Sequence, residues 1–83
     1  MKVTLKPLFR SGLEEILFYI AKDSKNRAKQ FNNALFEGIN NLENFPYKFR
    51  KSKYYNDDNI RDYIFMGYTI PYLIDEKHDA IVV

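Results

Sequence analysis

From Asn59 to Val83 the chain reads as a run of strand-like segments, and no other feature limits the fold as much. Tyr and Ile recur through the run, and it breaks at Met66-Gly67 and again over residues 75–79. Ile60 to Phe65, Tyr68 to Ile74 and Ala80 to Val83 are therefore expected to form a meander. Side chains alternate across a strand, so Tyr68, Ile70, Tyr72 and Ile74 share one face of the middle segment and Thr69, Pro71 and Leu73 the other. Pro71 has no amide hydrogen to donate, and a bulge or an unpaired stretch is expected near it. The last segment ends on four apolar residues, a run that belongs in a core. Either the chain is truncated there or a partner covers this edge.

Two helices are expected ahead of the meander. Val3-Thr4-Leu5 alternates as a short strand that stops at Pro7. Ser11 and Glu14 stand at capping-box spacing, which predicts a helix starting at Gly12. Leu13, Ile16, Leu17 and Ile20 then line one helical face. Asp23 or Ser24 is placed to cap a second helix, in which Ala28, Phe31, Leu35, Ile39 and Leu42 repeat at three and four residues. Gly38 costs about 1 kcal/mol there relative to Ala, so packing must hold the segment together. Pro46 is expected to close it. The short link between the helices predicts an antiparallel hairpin. The resulting order is β-α-α-β-β-β, an α+β fold in which a helical hairpin packs on one face of a small, largely antiparallel sheet.

With 83 residues, the chain is one domain, 1–83, and a domain of this size buries only about 60% of the surface exposed by its unfolded chain. Its core must draw on seven Phe and seven Tyr, with no Trp. Cysteine is absent, so no disulfide or thiolate metal site supplements that core. No metal ligand set or cofactor is expected. No apolar run approaches the roughly 20 residues of a membrane span, and a cytoplasmic protein is the simplest reading.

A net charge of +2 is too small to advertise nucleic-acid binding, but its distribution is uneven. Lys48, Arg50, Lys51 and Lys53 stand together, interleaved with Phe49 and followed by Tyr54-Tyr55. This is the make-up of a phosphate-attracting, base-stacking strip, or of an exposed loop whose aromatics pack on the helix ends. Arg61 sits among apolar strand residues and cannot shed its charge, so it meets water, a carboxylate or a phosphate. Asp62 and Asp75 are the nearby acids that could pair with it. His78, the one histidine, falls in a turn, where a solvated role is commoner than general-base work.

Leu13-x-x-Ile16-x-x-Tyr19-Ile20, Ala28-x-x-Phe31, Ile39-x-x-Leu42-x-x-x-Pro46, and then Arg61, Tyr68 and Tyr72, taken in this order, resemble the plasmid-stabilisation branch of the RelE/ParE family of bacterial toxins. The resemblance covers nearly the whole chain. It implies a toxin neutralised by a cognate antitoxin, a small acidic protein whose amphipathic C-terminal tail wraps the toxin's helices and sheet. RelE-like members cleave messenger RNA on the ribosome and ParE-like members act against DNA gyrase; the fold does not choose between them.

For a nuclease, in-line attack needs proton carriers and positive charge at the phosphorane, and Arg61, Lys51, Lys53 and Tyr68 are the candidates. RelE-like nucleases also place basic and aromatic residues in the last strand and beyond, and this chain ends at Val83 before any such residue. A ParE-like toxin that binds its target through Arg50, Lys51, Lys53 and Arg61 is therefore the preferred reading. An inactive relic that only titrates antitoxin is the third. Phe18, Tyr19, Phe36 and Val82 are the expected antitoxin contacts, as aromatics at the margin of the helical stripes and as the apolar final strand.

Overall fold

The computed structural model describes residues 1–83. Strand β1 (Lys2–Thr4) leads into helices α1 (Pro7–Asp23) and α2 (Lys25–Asn41), followed by β2 (Ile60–Phe65), β3 (Tyr68–Asp75) and β4 (Ala80–Val82). The strands lie in the order β1-β4-β3-β2. Pairing is antiparallel between β2 and β3 and between β3 and β4, whereas β1 runs parallel to β4. The expected α+β arrangement is present, with that one parallel pair in an otherwise antiparallel sheet.

Helix α1 begins at Pro7, not at Gly12. Proline stops β1 and also suits the first helical turn, because its φ is already helical and the first amides have no helical acceptor. Ser11 and Glu14 consequently lie inside the helix. One residue, Ser24, makes the hairpin bend. Its amide donates to the Ile20 carbonyl to close α1, and its hydroxyl accepts from the Arg27 amide at 3.1 Å to open α2. Helix α2 ends at Asn41, five residues before Pro46.

The turn between β2 and β3 is Met66-Gly67, both with positive φ (46° and 83°). That geometry matches the right-handed twist of the flanking strands. No bulge forms at Pro71, which pairs in register with Asp62. The Asp62 amide points away from β3 and donates to the Arg50 carbonyl, so Pro71 occupies a position that needs no donor toward β2. On its other side, pairing with β4 has already ended at Leu73–Val82.

The core joins Leu35 and Ile39 of α2, with Leu42 at its C-cap, to Tyr63, Tyr72, Ile74, Ile81 and Val83 on the sheet. From α1 only Leu13 is buried, with Phe9 and Leu17 packed partly against the cluster. Thus α2 lies on the sheet and α1 leans mainly on α2. Each buried Leu or Ile contributes about 1.5–3 kcal/mol, which exceeds the propensity cost of Gly38.

Gly38 has a steric reason to be glycine. A Cβ placed there would collide with the Tyr63 hydroxyl and approach its Cζ to 2.8 Å. Gly38→Ala is expected to destabilise by about 1–3 kcal/mol in urea unfolding, because the overpacking outweighs the helical gain. Adding Tyr63→Phe should recover part of the loss, since it removes only the hydroxyl contact.

Candidate functional site

Residues 50–53 form an extended strip along the outer edge of β2. The Ser52 amide donates to the Ile60 carbonyl at 2.8 Å, the Asp62 amide donates to the Arg50 carbonyl at 3.1 Å, and Lys51 lies opposite Arg61. Phe49 turns inward and packs edge-on against Tyr63 with centroids 5.0 Å apart. The strip's aromatics therefore divide. Phe49 serves the core, while Tyr54 and Tyr55 stay exposed.

Arg61 pairs with neither acid that the sequence offered it. Its Nε donates to the Asp58 carbonyl at 3.1 Å and its Nη1 to the carbonyls of Phe49 at 3.1 Å and Tyr47 at 3.4 Å. The guanidinium also lies 5.1 Å from the centroid of the Tyr47 ring, whose hydroxyl donates to the Glu76 carboxylate. Asp75 instead takes His78, with Nδ1 at 2.8 Å and the His78 amide donating at 3.2 Å, which makes the histidine a turn residue. Lys51 meets Asp58 at 3.3 Å with both side chains largely exposed, a pair of little energetic weight.

Asp62 is fully buried. Its Oδ2 accepts from the Lys53 amide at 3.2 Å and from Arg50 Nε at 3.4 Å; its Oδ1 has no partner. Burial alone would push this carboxyl up, but the nearby Ser52 hydroxyl, the Lys53 amide and Arg50 outweigh it and hold the group below the ordinary carboxylate value. On the opposite face, Tyr72 donates to the Pro46 carbonyl at 2.6 Å. Burial pushes that phenol up to about 12, against the opposing influence of the Arg61 charge.

A second feature lies across the sheet. Because β4 pairs with β3 only as far as Leu73, residues Tyr68 to Tyr72 have no strand neighbour on that side. Between this uncovered edge and the N-terminal half of α1 runs an open groove of about 510 Å³, in which 15 of 19 lining residues are hydrophobic. Phe9, Leu13, Phe31, Ile70 and Val82 contribute to it, and Lys6 is its one charged residue. Water-facing apolar surface of this kind is a candidate binding surface in a small protein.

The expected site residues separate into four places. Lys51, Lys53 and Arg61 come together at the strip, with Arg50 turned toward Asp62. Tyr68 lies in the groove, edge-on to Phe31 at 5.9 Å. It is four residues along β3 from Tyr72, the partner of Arg61, or about 13 Å at strand rise. Of the expected antitoxin contacts, Val82 lines the groove, Phe36 packs against the core, and Phe18 and Tyr19 stand exposed on α1 outside the groove. Sequence reasoning missed Lys6, Leu8, Phe9 and Thr69 of the groove, and also Tyr47. The one available signal was Pro71, whose missing donor marks the stretch of β3 that β4 leaves bare. No group of three or more His, Cys, Asp or Glu residues converges to hold a metal, and no helix is long and apolar enough to cross a membrane.

A carboxylate whose folded pKa is lowered adds stability above its unfolded value, and that stability is lost as pH falls through the folded pKa. Unfolding free energy should therefore drop as pH is taken from about 5 to below about 3. Asp62→Asn should be about 1–3 kcal/mol less stable at neutral pH, with the difference from the unmodified chain shrinking in acid. Urea titrations across that range measure it, and a constant difference would contradict the assignment.

The family described as the ParE toxin of the type II toxin–antitoxin system parDE matches residues 3–83. No curated protein and no solved structure shows significant similarity to the chain. A toxin of such a system has an antitoxin as its partner. With the match covering all but the first two residues, the chain belongs to the ParE toxin family of type II toxin–antitoxin systems.

Proposed function

We propose that this protein is a cytoplasmic toxin that acts by binding DNA gyrase, and that its antitoxin silences it by laying an apolar segment into the groove between α1 and the bare edge of β3. The groove is the observation that carries this reading. A small domain gains stability by filling such space itself, so an unfilled apolar cleft is a surface that a partner completes. Its sole lining charge is positive, which complements an acidic segment. Family membership supports the gyrase target, and Lys51, Lys53 and Arg61, none of which lines the groove, leave a basic surface for it.

Purified protein is expected to inhibit gyrase supercoiling at micromolar concentration, and folded protein without that effect would remove the gyrase target. Leu8 is 85% exposed at the groove wall. Leu8→Glu should leave the fold intact and weaken cognate antitoxin binding at least about tenfold, or about 1.4 kcal/mol, by calorimetry; unchanged affinity would place the antitoxin elsewhere.

The adjacency of Lys51, Lys53 and Arg61 favours a second reading, ribosome-dependent cleavage of messenger RNA. Primer extension on translating ribosomes decides it: codon-linked cuts that vanish in Lys51→Ala would replace the gyrase reading.

A further inference from the structure

Between Asn41 and Ile60 the chain forms no helix or strand. Ordering each such residue costs about 1–2 kcal/mol of backbone entropy, so specific bonds must hold the excursion. Three neighbouring sheet residues supply them. Tyr72 holds the Pro46 carbonyl, Asp62 holds the Lys53 amide, and Arg61 reaches both ends of the excursion at once, bonding Tyr47 and Phe49 on the outgoing limb and Asp58 on the return.

We propose that Arg61 is a positioning residue. It ties the outgoing and returning limbs of residues 47–58 to β2, and so sets where Lys51 and Lys53 present their ammonium groups, without meeting the target itself. Nε and Nη1 already donate to three carbonyls, and one face of the guanidinium covers the Tyr47 ring. Lys51, directly opposite Arg61, has a largely exposed side chain whose ammonium group meets only the exposed Asp58. The Lys53 backbone is fixed through its amide while the residue remains exposed. A planar fork suits this task, because its separated nitrogens aim donors at both limbs, whereas a lysine ammonium presents its donors from a single point.

Amide hydrogen exchange tests the role locally. In both Arg61→Ala and Arg61→Lys, protection of the Ser52 and Asp62 amides should fall at least about tenfold, while the Val83 amide, bonded to Thr4 across the sheet, should change less than about twofold. Unchanged Ser52 protection, full rescue by lysine, or an equal fall at Val83 would each overturn the proposal. A measurement on the unmodified chain does not depend on any variant folding: Arg61 Nε–H should exchange at least about tenfold more slowly than the Nε–H groups of Arg10 and Arg27, and equal rates would overturn it.

The functional arm rests on the toxin reading. In growth-arrest titrations, Arg61→Ala combined with Lys53→Ala should be no worse than the more severe single variant, because one acts through the other. Multiplying effects would mean that Arg61 contacts the target independently, and the proposal fails. Absence of growth arrest by the unmodified chain would sink the toxin reading, and the exchange rates would still decide the role of Arg61.

Discussion

The seating of α2 on β2 and β3 is the contact from which the rest of this structure follows. Leu35, Ile39 and Leu42 press onto Tyr63, Tyr72 and Ile74, and the missing side chain at Gly38 lets Tyr63 lie against the helix backbone. Tyr63 then offers its ring to Phe49, and Tyr72 offers its hydroxyl to Pro46. The start of the long excursion is thereby attached to the same two tyrosines that form the helix seat. Packing at one interface becomes placement at the next.

Helix α1 receives much less from the sheet. It is held by α2 and by Leu13, and its N-terminal half stands away from β3 where β4 ceases to cover it. The consequence is an apolar groove in a domain with little core to spare. For a protein whose family pairs it with an antitoxin, incomplete filling links stability to binding: whatever enters the groove adds its contacts to the folded state alone.

The basic strip shows a different economy. Its charges stand at the outer edge of the sheet, and the strip itself covers that edge, hiding backbone groups that would otherwise invite pairing with another chain. Arg61 and Asp62, adjacent on β2, point to opposite faces and secure opposite sides of the strip through backbone partners. An arginine bound to carbonyls keeps its charge, so it still contributes to the local potential while its geometry serves the fold.

The amino-acid sequence by itself determined the element order, the α2 stripe, a helix cap at Asp23 or Ser24 and the break at Met66-Gly67, because periodicity and turn chemistry act over a few neighbouring residues. It also carried the family resemblance and brought Lys51, Lys53 and Arg61 forward as a group. The start of α1 was misread because Pro7 serves two roles, ending a strand and opening a helix, and local rules weigh only one at a time. Only the tertiary structure decided that Arg61 binds carbonyls and not an acid, that Asp62 is buried, and that Phe36 turns to the core while Phe18 and Tyr19 do not. Those outcomes depend on which distant segment arrives beside each side chain, and the groove depends on where β4 stops alongside β3. Both are set by register and packing between residues far apart in the chain, which spacing within any one segment does not encode.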